Sequence, residues 1–148
     1  MNDMIDGVII TPLRQIKNEN GDIFHGLKAT EASFKAFGEA YFSSILPGAI
    51  KGWKKHRNAT LNIIVPLGAI EFVMFDDRDD SQTKEKFQSV ILSADEADKY
   101  QRLTVPPGLW MAFRNLSITN SMLLDIIDME HTDEESDRRQ LDAISYTW

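Results

Sequence analysis

The chain has 148 residues, of which 43% are hydrophobic and 26% charged, and it contains no cysteine. This composition excludes a disordered or collagen-like chain, a disulfide framework and a zinc site built on cysteines. A net charge of −7 argues against nucleic acid as a partner, because phosphates need a basic surface. No apolar run approaches the roughly 18 residues of a membrane span, and the acidic N-terminus lacks the basic start of a secretory signal. We therefore expect a single domain over residues 1–148, in the cytoplasm and with no membrane partner.

Short runs rich in Val, Ile, Phe, Tyr and Leu recur along the chain, with Pro, Gly and Asp between them. Such runs predict short strands separated by turns. In chain order, the predicted strands are Gly7–Ile10, Ala40–Ile45, Leu61–Val65, Ile70–Phe75, Phe87–Leu92, Leu103–Val105, Trp110–Phe113 and Ser117–Ile127. Short strands at this spacing favour an antiparallel sandwich or barrel over a parallel sheet.

Helix signals are few and short. The segment Thr30–Phe37 is compatible with one helical turn, and two capping boxes, Ser93 to Glu96 and Thr132 to Glu135, each predict a short helix. None of these segments is long enough to cover a sheet. The apolar face of the predicted sheet is therefore expected to pack against a second sheet of the same chain.

A basic cluster interrupts the strand pattern and consists of Lys51, Lys54, Lys55, His56 and Arg57. A lysine or histidine beside other cations has its charged form disfavoured, so its pKa falls and it becomes a usable base near neutral pH. The same cations would stabilise an enolate or bind a pyrophosphate. The opposing interpretation is a solvated surface, as for the acidic run at 128–137. We favour that interpretation for Lys55 and a functional role for Lys51 and His56.

Several known mechanisms have no counterpart in the sequence. It contains neither a glycine-rich phosphate loop nor a nucleophile elbow. The three histidines, His25, His56 and His131, are far apart, and no two of them have metal-ligand spacing. A metal site would have to be assembled entirely by the fold, so we expect none.

Several segments in fixed order carry a resemblance to a known family. They are FGEAYFSSILPGAIKGW at 37–53, FDDR at 75–78, TVPPGLWMAF at 104–113, and DEESDR, LD and YTW at 133–138, 141–142 and 146–148. Together they resemble the cupin sugar-nucleotide epimerases, and most of all the dTDP-4-dehydrorhamnose 3,5-epimerases and their WxcM-like relatives. The resemblance covers residues 21–148.

This resemblance implies an all-β fold, the double-stranded β-helix or cupin jelly roll with short helical turns, assembled as a homodimer. It implies a nucleoside-diphosphate 4-keto-6-deoxy sugar as substrate. The implied reaction is epimerisation or isomerisation, in which protons beside the ketone are removed and returned during the synthesis of surface-polysaccharide sugars. Because the adjacent ketone makes those protons removable, the resemblance implies no cofactor and no metal.

The resemblance also implies roles for individual residues. The family's histidine is met by Lys54, and His56 matches the second histidine of a W-H-x-H pattern, so either side chain is an expected base. No tyrosine lies at 129–131, so His131 is the expected acid, and Asp142 is expected to orient the base. The expected substrate-binding residues are Tyr41, Lys51, Trp53, Arg78 and Trp110.

Two functional alternatives to this epimerase remain open. The first is a non-catalytic cupin that binds a sugar nucleotide and has lost the base and the acid. The second is a 3,4-ketoisomerase of the same fold, which ranks lower because the sequence lacks the paired histidines expected for that reaction.

Overall fold

The structure of the protein is a computed structural model that describes residues 4–148. It is built almost entirely from strands and turns. The strands are β1 (Ile9–Pro12), β2 (Gln15–Ile16), β3 (Ile23–Phe24), β4 (Glu39–Ile45), β5 (Ile50–His56), β6 (Leu61–Leu67), β7 (Ala69–Asp76), β8 (Phe87–Ser93), β9 (Gln101–Val105), β10 (Leu109–Asn115), β11 (Ser121–Ile127) and β12 (Ser136–Arg138). Single 3-10 turns lie at Ala97–Lys99, Asp133–Glu135 and Leu141–Ala143.

Ten of these strands form two antiparallel sheets that face each other. The first sheet has the order β1-β9-β6-β11-β4, the second has the order β12-β5-β10-β7-β8, and β2 and β3 form a separate hairpin. Strand β11 lies between β4 and β6, and β10 lies between β5 and β7. Strands that are neighbours in sequence thus often lie in different sheets, which is the jelly-roll arrangement. The predicted all-β jelly roll is confirmed.

The main core lies between the two sheets. Its fully buried side chains come from both inner faces, with Ile63 and Leu103 in the first sheet and Ile70, Phe72 and Met74 in the second. Each such side chain contributes about 1.5–3 kcal/mol by leaving water. This burial holds the two sheets together.

A second apolar cluster covers the outer face of the second sheet. Trp53 of β5, Val73 of β7 and Trp110 of β10 are buried there against Ile144. Tyr146 and Trp148 pack on the same cluster, with ring centroids 4.9 Å apart. The last residues of the chain therefore form a third layer over this sheet.

Strand β5 was not predicted from the sequence. It contains Gly52 and several basic residues, which are poor strand formers in isolation. Its pairing with β10 on one side and β12 on the other overrides that weak local preference. The predicted strand from Ser117 in fact begins at Ser121, because the Asn115 side chain bonds the backbone of Ser117 and Thr119 and so holds a turn.

The predicted helices shrink to single turns. Ser93 belongs to β8 and donates to the carbonyl of Gly68 instead of capping a helix. The carboxylate of Glu135 accepts bonds from the backbone of residues 58 and 59, so it is not free to close a capping box with Thr132. The segment Thr30–Phe37 forms turns without a helix. Within residues 4–148, no helix has the length and apolarity needed to cross a bilayer.

Candidate active site

A cavity of about 850 Å³ opens between the two sheets. This volume falls in the usual range of small-molecule sites. Each sheet supplies one wall, and the segment that begins with the last residue of β12 borders the opening. The first sheet contributes Tyr41, Ser43, Leu61, Ile63, Leu123 and Asp125, the second contributes Lys51, Gly52, Trp53, Lys54, His56, Met111 and Phe113, and the bordering residues are Arg138, Arg139, Gln140, Asp142 and Ala143.

A bulge in β5 directs its basic side chains into this cavity. The register between β5 and β10 shifts so that Lys54 lies opposite Met111 while Lys51 lies opposite Phe113. Gly52 has φ of +143°, and a Cβ at this position would overlap Ala112 of β10. In a regular strand, residues 51 and 54 would point to opposite faces, because their separation is odd. The bulge cancels this alternation, so both lysines line one wall.

The imidazole of His56 forms a buried pair with the carboxylate of Glu135. The distance from His56 Nδ1 to Glu135 Oε2 is 2.6 Å, and Glu135 Oε1 accepts bonds from the backbone N–H groups of Asn58 and Ala59 at 3.0 and 2.9 Å. Burial favours the neutral form of Glu135, but these three bonds outweigh it and lower the pKa of its carboxyl. An ionised Glu135 holds the proton of His56 on Nδ1, which leaves Nε2 as a proton acceptor.

Burial lowers the pKa of His56, and it outweighs the opposing effect of Glu135. The positive charge of Lys54 and the nearby ring of His131 act in the same direction as burial. A neutral imidazole at physiological pH follows from these effects. His56 therefore has the protonation state that a general base requires.

The amine of Lys54 is uncommitted. It is half-buried in the cavity wall, and among residues 4–148 it has neither a hydrogen bond nor an ion pair. Burial and the charge of Arg138 lower its pKa, while Asp125 and Glu135 act in the opposite direction. By contrast, the amine of Lys51 is exposed and donates to the carbonyl of Ser44 at 2.6 Å. Lys54 is thus the cation best placed to meet a bound ligand.

The opposite wall carries a second pair of polar side chains, Tyr41 and Asp125. The hydroxyl of Tyr41 donates to Asp125 Oδ2 at 2.9 Å. Burial raises the pKa of the Asp125 carboxyl to about 7, and Oδ1 of the same carboxyl has no hydrogen-bond partner. Sequence reasoning missed Asp125. The available signal was a single acid at an inward position of β11, in which every other residue after Ser121 is apolar.

The structure brings six of the nine predicted site residues to the cavity. These are Tyr41, Lys51, Trp53, Lys54, His56 and Asp142. Trp53 only borders it, since its ring packs in the outer cluster and its Nε1 donates to the carbonyl of Leu141 at 3.1 Å.

Arg78 and Trp110 do not line the cavity, and their expected contacts with a substrate stay a prediction. The guanidinium of Arg78 makes two bonds of 2.9 Å to the buried carboxylate of Asp76, and a further bond to the backbone of Asp6. Trp110 lies on the outer face of its sheet, where Lys55 stands 4.8 Å from the ring centroid. Its Nε1 donates to Asp77 at 2.8 Å, so the ring is fixed as part of the outer cluster.

The structure also gives the positions of His131 and Asp142, whose expected roles stay predictions. His131 is not a lining residue, and its ring lies edge-on against His56, with 6.1 Å between centroids. Asp142 borders the opening, but the carboxylate that bonds to His56 belongs to Glu135. Glu135 occupies that place because its turn directly precedes β12, which pairs with β5 beside His56.

One group of potential metal donors exists among residues 4–148. Donor atoms of His56, His131 and Glu135 all lie within 4.8 Å of one another. Both oxygens of Glu135 already accept hydrogen bonds from the protein, one of them from His56 itself. The arrangement is therefore best described as a carboxylate–imidazole pair with a second ring beside it.

No family model matches the chain. It is similar in structure to a dTDP sugar isomerase from Desulfovibrio desulfuricans G20, with a TM-score of 0.90 and 35% identity over 94% of this chain and 87% of the other. It is 25% identical to the spore coat polysaccharide biosynthesis protein SpsL of Bacillus subtilis strain 168, over 98% of this chain and 97% of the relative. A dTDP-6-deoxy-D-glucose-3,5-epimerase from Legionella pneumophila Philadelphia 1, in complex with dTDP-4-keto-L-rhamnose, shares the fold at a TM-score of 0.82 and 20% identity, over 95% of this chain and 77% of that one.

Proposed function

The chain belongs to the cupin family of sugar-nucleotide epimerases and isomerases, and on this premise we propose that it acts on a nucleoside-diphosphate 4-keto-6-deoxy sugar. The reaction is the removal and return of a proton on a carbon beside the ketone. One observation carries the proposal. The neutral imidazole of His56, hydrogen-bonded to the carboxylate of Glu135, and the unpaired amine of Lys54 line the same wall of the cavity. The name of the Bacillus relative supports a place in polysaccharide biosynthesis.

His56 is the base in this mechanism. Its Nε2 takes the proton from the carbon beside the ketone, and the electron pair moves onto the ketone oxygen to form an enolate. Glu135 stabilises the imidazolium that results, because its Oε2 is 2.6 Å from Nδ1. Lys54 supplies positive charge at the enolate oxygen.

The positive charge for the diphosphate comes from a separate part of the cavity. Lys51 is exposed on the wall and Arg138 borders the opening, whereas the guanidinium of Arg139 lies 4.5 Å from the ring centroid of Trp110. Arginine and lysine at such a position bind phosphate oxygens through charge-assisted hydrogen bonds. The sugar would then lie deeper, between His56 and the first sheet. The cytoplasmic location expected from the sequence stays a prediction.

The test is solvent exchange by the unmodified protein. In deuterated buffer with dTDP-4-keto-6-deoxyglucose, we expect deuterium to enter the carbons beside the ketone. Mass spectrometry and NMR measure this incorporation. We also expect saturating dTDP to stabilise the fold, by about 2.7 kcal/mol at 100 times its Kd. Stabilisation by dTDP without any exchange would support the non-catalytic alternative and contradict the proposed reaction.

One observation favours the ketoisomerase as the second candidate. The fold pairs His56 with His131, although 75 residues separate them in the chain. The same NMR experiment separates the two reactions. An epimerase inverts a carbon and leaves the ketone in place, whereas a ketoisomerase moves the ketone to the neighbouring carbon.

We propose further that the protein is a homodimer that associates through the outer face of the first sheet. Phe42 of the edge strand β4 is 65% exposed, and its cross-strand neighbour Leu124 is half-buried beside it. Leu46 and Leu67 extend this apolar face. An exposed apolar face of this kind is typical of a protein–protein interface.

Replacing Phe42 with glutamate is expected to convert the dimer to a monomer, because the interface would have to bury a charge. Sedimentation or light scattering measures the change in mass. The matched control is Ile91→Glu, at an exposed apolar position on β8 of the other sheet, which should leave the dimer intact. A wild-type protein that sediments as a monomer would contradict the proposal.

A further inference from the structure

Across the cavity from His56, Tyr41 and Asp125 form a pair that the mechanism above does not use. They lie opposite each other on the adjacent strands β4 and β11, and both line the cavity. Asp125 is only 4% exposed, and its Oδ1 has no hydrogen-bond partner. An unpaired buried oxygen is far more costly on a carboxylate than on a neutral acid. The geometry therefore favours an Asp125 that carries a proton.

The groups that face Asp125 give the same result. Glu39 and Tyr41 approach it from β4, and Lys54 approaches it from β5 across the cavity. On its other side, β6 places the apolar Ile63 opposite it in register. Burial is the largest effect and raises the pKa of Asp125 to about 7, while Tyr41 and Lys54 only partly oppose it. Burial and Asp125 together raise the pKa of the Tyr41 phenol.

We propose that Tyr41 is the general acid that protonates the sugar on the face opposite His56, and that Asp125 is the positioning residue that replaces the proton which Tyr41 donates. The inference rests on the proposed function and deepens it. It is carried by placement: His56 lies on the second sheet, whereas Tyr41 and Asp125 lie on the first. A sugar ring held between the sheets would meet one group on each face.

The proton movements balance in this scheme. His56 Nε2 removes one proton, and the C–H electron pair forms the enolate. For the second transfer, the Tyr41 hydroxyl turns from Asp125 Oδ2 toward the enolate carbon, and the neutral carboxyl of Asp125 becomes the donor across the same 2.9 Å separation. The enolate carbon takes the proton of Tyr41 Oη from the other side, and Tyr41 Oη takes the carboxyl proton of Asp125. The negative charge thus ends on Asp125 instead of on a buried phenolate. After the product leaves, the imidazolium and the carboxylate return to their initial states by exchange with water.

The test separates deprotonation from inversion. Tyr41→Phe keeps the ring and removes the acid, so with dTDP-4-keto-6-deoxyglucose in deuterated buffer we expect deuterium in the recovered substrate. The inverted product should form about 100-fold more slowly. In Asp125→Asn, product formation should fall, and the loss of wild-type activity above about pH 7 should disappear, since an amide does not titrate. The control is Glu71→Gln. The carboxyl of Glu71 is buried and hydrogen-bonded to Arg114, but it lies outside the cavity, so this variant should keep the wild-type rate and pH profile.

The possible results distinguish failure of this inference from failure of the proposed function. Inverted product at the wild-type rate from Tyr41→Phe would overturn the inference while leaving the proposed function intact. Wild-type protein that incorporates deuterium without forming inverted product would also overturn the inference and leave the proposed function intact. If Asp125→Asn still loses activity above about pH 7, the role of Asp125 is overturned. A wild-type protein with neither exchange nor product would overturn the proposed function itself. If Asp125→Asn does not fold, Tyr41→Phe still decides, because Tyr41 is only half-buried.

Discussion

Replacing His56 with asparagine is expected to reduce deuterium entry into the substrate by about 100- to 10,000-fold, the usual range for the loss of a general base. Asparagine retains polarity and approximate size at this buried position, so the fold should survive. Binding of dTDP, measured by thermal shift, should be nearly unchanged, because the base contacts the sugar and not the nucleotide. The effect therefore falls on kcat more than on KM.

The pH profile provides a second readout for His56. Exchange needs the neutral imidazole, so the rate should fall as the pH drops through the pKa of His56, which burial places below its usual 6.5. Because a lowered pKa keeps the neutral form present down to more acidic conditions, the rate should be independent of this group at pH 7. The control is His25→Asn, at a histidine that does not line the cavity. Unchanged exchange in His56→Asn would contradict the assignment of the base.

Replacing Lys54 with methionine is expected to reduce exchange by about 100- to 1,000-fold, comparable to the loss of one group that stabilises an oxyanion. Methionine preserves the length of the side chain and its apolar contacts while removing the positive charge. Since burial already disfavours the ammonium, the substitution should not lower the free energy of unfolding. Exchange kinetics and thermal melts measure the two effects separately.

Lys55 is the matched control for this prediction. It is the next residue along the chain, but its amine is ion-paired with Asp77 at 2.7 Å on the outer side of the sheet. Lys55→Met should therefore retain exchange. The His56 and Lys54 variants also decide which side chain is the base. If Lys54→Met abolished exchange while His56→Asn retained it, Lys54 would be the base and the roles would be reversed.

The sequence predicted the sheets well because strand propensity and turn punctuation are local signals. The runs at Ile70–Phe75 and Phe87–Leu92 lie within β7 and β8, and both strands are held by the burial of the same side chains that predicted them. Strand β5 was missed, because its formation depends on partners that are 55 to 84 residues away in sequence. Local composition carries no information about such partners.

Site residues could be predicted from the sequence only where they lie within a motif of the family. Lys51, Lys54 and His56 follow one another along β5, so a contiguous motif located all three. Glu135 could not be assigned in this way, since its role depends on the turn that brings it to His56. Arg78 follows the family pattern but is held by Asp76, and a pattern does not reveal such a local ion pair.

The bulge at Gly52 fixes the direction of residues 51 and 54 through the backbone alone. The direction of the side chain and its chemical group are thus specified by different residues on this wall. The glycine determines where the side chain of residue 54 points, and the identity of residue 54 determines which group faces the cavity. Substitution of a histidine by a lysine at position 54 would change the proton affinity of the group that faces a ligand, while the backbone of the wall stays in place. A scaffold of this kind can acquire a new reaction by single substitutions, and the presence of lysine at 54 is compatible with such a history.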